Sequence, residues 1–310
     1  MSSHLPPVSV YKYDNVESLI SLVQLKTGCT RSEVVNKRQF SYLTGYLLSS
    51  HISASTMIIE DSYTDRYYLE DYTAYYARCF SDYPKTCSRV HFFSESFDEQ
   101  DFLSNLVNLK KEFLEKLQAS YLGYVVIKPL PNAFLGGIYL KPYPGICESQ
   151  SHKIIKRDHS VTLAGINLKV RTVAFTEQDE VVSACATSAL WSYLSAYDNY
   201  ISMSLPSPSA ITQSATGENI DGSRNFPSEG LTDTQILRSI KHFGYEPIQI
   251  SIGKSKFPQH DANLLSEYIY AYVNNDIPIL MAGIIYQKSD SSNFYKQSGN
   301  HLVCILGYHL

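Results

Sequence analysis

The chain has 310 residues, with 26 basic side chains against 30 acidic ones and a net charge of −4. That balance lacks the electrostatic footprint of a nucleic-acid-binding protein, and the length allows a sizeable core and two domains. The amino-terminal Met1-Ser2-Ser3-His4-Leu5-Pro6-Pro7 has neither the basic start nor the apolar run of a signal peptide, and no stretch reaches the ~20 apolar residues of a membrane span, which reads as a cytoplasmic protein with no membrane partner.

Six cysteines, at 29, 79, 87, 147, 185 and 304, are scattered without CxxC pairs. The spacing argues against a structural zinc site and against a disulfide framework, so most are expected to be reduced, buried, small hydrophobes, and neither a metal nor a cofactor is expected.

Residues 1 to about 50 read as mixed and mainly helical. Thr56 to Asp61 forms a short strand, and a tyrosine-rich segment follows with Tyr63, Tyr67, Tyr68, Tyr72, Tyr75, Tyr76 and Tyr83. Tyr68, Tyr72, Tyr75 and Tyr76 recur at the spacing of an amphipathic helix packed on a sheet, and acidic neighbours such as Glu70 and Asp71 would repel phosphates, which favours packing over a base-stacking platform.

Arg89 to Phe93 is the next strand, with His91 as a satisfied core histidine. Asp98 to Ala119 reads as one helix carrying Phe102, Leu106, Leu109, Phe113, Leu114 and Leu117 on its apolar face. Leu122 to Lys128 is a buried strand that Pro129 terminates, and Ile138 to Lys141 can pair with it. Residues 1–150 therefore read as an α+β domain of unknown role, with no catalytic spacing.

A second domain is expected over 151–310. Val161 to Ala164 and Ile166 to Phe175 are strand-like runs split by Gly165 and leading to the segment Gln178-Asp179-Glu180-Val181-Val182-Ser183-Ala184-Cys185. Ser183 reads as an N-cap that puts Cys185 in the first turn of a helix, where the positive dipole end and free N–H groups favour a thiolate. Cys185, Ser188, Ala189, Ser192 and Ala196 form a small face on that helix, and Leu190, Trp191, Leu194 and Tyr197 a bulky one. The small face admits a close sheet, and a histidine on that sheet opposite Cys185 would complete a nucleophilic pair.

Residues 204 to 230 read as the longest irregular region and a candidate cleft-lining or gating loop. Beyond it, Thr232 with Gln235 makes a capping box, Ile236, Ile240 and Phe243 an apolar stripe, and Gly244 a stop. Pro247 to Ile252 reads as a strand, a helix carries Leu264 to Val273, and Ile277 to Ala282 is a further strand. Gly299-Asn300 introduces the last one, His301 to Tyr308. Cys304 lies three residues after His301, and strand alternation sends the two to opposite faces, so they are not expected to share a metal.

This order, a helix-start Cys185, Gly230-Leu231-Thr232, Asp276-Ile277-Pro278-Ile279 and His301 through Tyr308, resembles the papain-like cysteine peptidases, nearest to the C39-like, bacteriocin-processing branch, over about residues 171–310. The resemblance implies a papain-like fold, a protein or peptide substrate, Cys185 as nucleophile, His301 as general base and Gln178 as an oxyanion ligand. Gln178 lies seven residues before Cys185, one more than the family's usual spacing. The family also places an Asn or Asp after the histidine, and the chain ends nine residues beyond His301. A chain cut short, a third group from elsewhere and a dyad are the explanations, the first being preferred. The resulting expectation is a bacterial cysteine hydrolase acting through a thioester, with a silent binding module and an acyltransferase or transglutaminase-like effector as alternatives.

Overall fold

A computed structural model describes residues 8–108, 110–143, 152–179, 181–197, 204–217, 226–228, 230–253, 258–288 and 295–309. In chain order the elements are β1 (Val8–Lys12), α1 (Glu17–Thr27), α2 (Arg31–Asn36), α3 (Arg38–Leu48), β2 (Thr56–Tyr63), α4 (Arg66–Ala74), β3 (Cys87–Phe93), α5 (Glu99–Asn108), α6 (Lys111–Ser120), β4 (Tyr121–Ile127), β5 (Leu135–Leu140), β6 (His152–Ile154), β7 (Arg157–Leu163), β8 (Ile166–Thr172) and β9 (Phe175–Thr176). They continue with α7 (Cys185–Ala196), α8 (Pro208–Thr216), α9 (Asp233–His242), α10 (Pro258–Asn274), β10 (Ile279–Lys288), β11 (Tyr295–Ile305) and β12 (Gly307–His309). The chain is thus α+β, and among the described residues no helix is long and apolar enough to cross a membrane.

The chain forms two compact units, residues 1–145 with 156–177, and residues 146–155 with 178–310. This corrects a single boundary at 150. The β7–β8 hairpin belongs to the first unit because its edges are tied there: Arg89 Nη2 donates to the Thr162 carbonyl at 2.6 Å, and the Gln118 side chain bonds both backbone groups of Lys169 at 2.8 and 2.9 Å.

In the first unit an antiparallel sheet runs β1-β2-β3-β4-β5-β9. Period-two alternation sends Met57, Ile59, Val90, Phe92, Ile138 and Leu140 to one face, where α1, α2 and α3 supply Leu19, Val23, Val34, Phe40 and Leu47 to a shared core. Thr30 begins α2 with a capping box to Glu33, and Asp65 begins α4 by accepting the Tyr68 N–H at 2.8 Å. At Gly123, where φ is +121°, a Cβ would lie 1.9 Å from the Tyr139 carbonyl oxygen, so the β4–β5 approach requires glycine. The β7–β8 turn has positive φ at Ala164 and Gly165, as a two-residue hairpin with the twist of its strands demands.

The tyrosine segment is packing, as expected for its buried members. Tyr68 and Tyr76 are buried, and their rings meet those of Tyr72, Tyr75 and Tyr83. The helix itself ends at Ala74, and Tyr76 opens a separate 3-10 turn. The single helix expected from Asp98 to Ala119 is two, α5 and α6, because the backbone at Lys110 is extended; Leu109 lies outside the described residues.

In the second unit α7 packs on β10 and β11 and on α8, and α8 packs on α9. Two short sheets of paired strands are described, β10–β11 and β6–β12, both antiparallel. A small core of Ile155, Ala196 and Val273 is joined by Ile269, Ile305 and Tyr308. The predicted capping box opens α9, with the Gln235 N–H reaching Thr232 Oγ1 and the Thr232 N–H reaching Gln235 Oε1 at 2.9 Å.

Two expectations fail here. Pro247 to Ile252 is no strand, because among the described residues no strand pairs with it and Ile248 and Ile250 stay exposed. The region 204 to 230 is not one loop, because Pro208 to Thr216 forms α8, begun by the Ser207 cap and anchored by the buried Ile211 and Ala215. Residues 218–225 and 229 of that region, like Cys147, lie outside the described residues.

Candidate active site

The approach to Cys185 is built by one carboxylate. Asp179 Oδ1 accepts the backbone N–H groups of Val181, Val182 and Ser183 at 2.9, 2.5 and 2.7 Å, while the Asp179 N–H donates to the Ser183 carbonyl at 2.9 Å. Three donors converging on one oxygen fold the segment into a tight turn. The turn is then tied to its surroundings: the Val181 carbonyl accepts the Ser228 N–H at 2.7 Å. The Val182 carbonyl accepts the Thr212 hydroxyl at 3.1 Å, and that hydroxyl pairs with Thr187 at 2.9 Å.

The helix cap is Ala184, not Ser183. Ser183 is buried one residue earlier, and its hydroxyl is engaged with Ser188 Oγ at 2.8 Å, so it does not reach the helix-start N–H groups. Cys185 is consequently the first residue of α7, at the positive end of the helix dipole, and is partly exposed.

The small face of α7 receives β11. Ala186, Ala189 and Leu302 form a buried cluster, against which Cys185, Leu231, Ile236, Leu280 and Cys304 pack. Leu302 and Cys304 are therefore the β11 residues turned to α7. Alternation groups His301 with Val303, which is 38% exposed, on the other face. Among the described residues no hydrogen bond is made by Cys185 Sγ, by the His301 imidazole or by the exposed Gln178 amide. The fold thus brings the start of α7 and the His301-bearing strand together, while among the described residues no hydrogen bond joins the three predicted functional groups.

Cys304 is a poor second nucleophile, since burial pushes its thiol up to about 12. Asp179, Thr187 and Thr212 escaped sequence reasoning. The Asp179 turn had a signal, a short acceptor side chain shortly before the helix start at Cys185, whereas Thr187 and Thr212 meet only through tertiary packing.

The first unit holds a separate polar cluster on the sheet face opposite its main core. His91 is fully buried, with Nε2 2.9 Å from Glu60 Oε2 and Nδ1 2.9 Å from the Tyr121 hydroxyl. Arg89 Nε donates to the same Glu60 oxygen at 2.5 Å, and its guanidinium lies 4.1 Å from the centre of the Tyr63 ring. Burial holds His91 below the ordinary histidine value, against the opposing pull of Glu60. This is the satisfied core histidine expected from its apolar neighbours. Among the described residues no three His, Cys, Asp or Glu side chains gather as metal ligands.

No protein-family model matches the chain, and neither a curated protein nor a solved structure is similar to it.

Proposed function

We propose that the chain is a papain-like cysteine hydrolase of the C39-like type, cleaving a peptide or isopeptide bond. The observation that carries this reading is Cys185 as the first residue of α7, partly exposed, on the helix against which the His301-bearing strand packs. In the proposed reaction the Cys185 thiolate adds to the substrate carbonyl carbon, its proton having passed to His301. The tetrahedral oxyanion, held by N–H groups at the helix start and by Gln178, collapses with loss of the amine, which takes the proton from His301. Water then hydrolyses the thioester. Catalytic hydrogen bonds are often long before substrate binds, so in this reading the His301 ring turns toward Cys185 only in the complex.

The test is labelling by a peptide-based acyl probe directed at thiols. Cys185→Ala is expected to remove it, and unchanged labelling would overturn the assignment. A second reading, a catalytically silent module that binds a protein partner, is favoured by the absence of any Cys185–His301 hydrogen bond among the described residues. It predicts that His301→Ala leaves the rate of Cys185 alkylation unchanged.

A further inference from the structure

The carboxyl-terminal strand carries a histidine that the sequence separates widely from its partner. β6 and β12 pair antiparallel, with His152 directly opposite His309. Residues directly opposite in such a pair have Cβ atoms about 5 Å apart, close enough for both side chains to reach one atom. Here the ring centroids are 3.8 Å apart, with planes inclined at 40°. His309 is exposed and His152 half-buried, so the pair opens to solvent.

We propose that His152 and His309 are the two protein ligands of a site for a single divalent transition-metal ion of the zinc, nickel or copper class. Neutral imidazole is a preferred ligand of these ions. Two nitrogens bound to one tetrahedral ion at 2.0–2.1 Å stand about 3.3 Å apart, a span these two rings meet by rotation of their side chains while the backbone stays paired. Water fills the remaining coordination positions, which makes the site exchangeable and weaker than a four-ligand structural centre. Spacing arguments built on cysteines miss it, because both donors are histidines joined only by strand pairing.

The ion would act on a short ladder. Each strand contributes three residues, and Gly307 lets them approach so closely that a Cβ there would meet the Lys153 carbonyl oxygen at 2.6 Å. The pairing continues through the Ile155 N–H, which donates to the Leu306 carbonyl at 2.8 Å beside the core of Ile155, Ala196 and Val273. Lys153, the middle residue of β6, adds an ion pair to Asp276 at 3.0 Å. An ion bridging His152 and His309 clamps the outer end of this ladder and so holds residues 152–155 against the last strand.

Titration of the full chain with Zn2+ near neutral pH, followed by calorimetry, tests the site. One ion per chain is expected, with binding about tenfold weaker or worse in His152→Asn and in His309→Asn and unchanged in His260→Asn, a solvent-exposed histidine of α10. At a hundredfold excess over Kd, the wild-type Tm should rise by about 5 °C. A folding defect in either variant is bypassed by the imidazole nitrogen resonances of the wild type, where those of His152 and His309 should shift together with the bound fraction. Wild-type affinity in both variants, resonance shifts confined to other histidines, or no binding at millimolar Zn2+ would overturn the proposal.

Discussion

Cys185 and Leu302 pack into one apolar cluster, so the side of β11 laid on α7 is the one bearing Leu302 and Cys304, and His301 belongs to the other side. Any chemistry between Cys185 and His301 therefore depends on the imidazole reaching past the strand edge. If it does, His301→Ala should slow alkylation of Cys185 at neutral pH by about a hundredfold, the lower end of what a positioned base contributes. Because His301 is only half-buried, the substitution should change stability by less than about 0.5 kcal/mol. Rates of iodoacetamide incorporation at Cys185 and the denaturation midpoint separate the two effects.

Asp179 is expected to matter for the shape of the site before any reaction begins. Asp179→Ala removes the acceptor of three backbone donors and should cost about 2 kcal/mol. Asp179→Asn, which keeps one acceptor oxygen, should cost less. Trp191 is the chain's single tryptophan, buried in α7, so its fluorescence reports urea unfolding of this unit.

Ile211 distinguishes a packed helix from a gating loop. It is fully buried within α8, and Ile211→Ala should destabilise the second unit by about 3 kcal/mol through lost burial and the cavity left behind. A loss below about 0.5 kcal/mol, the size expected at a loosely held surface segment, would contradict the packing of α8.

The buried His91 makes stability fall on acidification. Its folded value lies below the ordinary 6.5, first through burial and against the pull of Glu60. The unfolded chain therefore takes up a proton that the folded chain refuses. Its contribution is complete above 6.5 and is lost as pH falls toward the depressed folded value, at up to about 1.4 kcal/mol per pH unit. His159 acts in the same sense, its value also lowered by burial, whereas the raised carboxyls of Asp65 and Glu177 act in the opposite sense. The readout is accordingly a difference: chemical denaturation between pH 7 and 5 should show a shallower acid loss in His91→Gln than in the wild type.

The elements written most plainly in the sequence are those whose causes lie within a few residues. Thr232 and Gln235 cap α9 because each supplies the hydrogen bond that the other's backbone lacks, and Gly244 follows with positive φ. Cys185 at a helix start was legible for the same reason, although the cap moved to Ala184 once Ser188 engaged the Ser183 hydroxyl. Short apolar runs marked β2, β3, β4 and β5 of the first sheet, since strands buried on both faces record themselves as nearly continuous apolar stretches.

What needed the tertiary structure is whatever depends on a partner distant in sequence. Pro247 to Ile252 has a strand's composition and no ladder, and Ile211 has a place in the core that a Ser- and Pro-rich context conceals. The β7–β8 hairpin joins the first unit through Arg89 and Gln118, two side chains that no local pattern connects to it. By itself the sequence determined that one cysteine opens a helix and that an apolar strand bearing His301 follows far downstream, because helix starts and apolar runs are local, although that strand begins at Tyr295 and ends at Ile305 rather than opening at His301. Only the tertiary structure decided that Leu302 and Cys304 meet that helix and that His152 meets His309, because the face a strand presents and the strand it pairs with depend on what packs beside it.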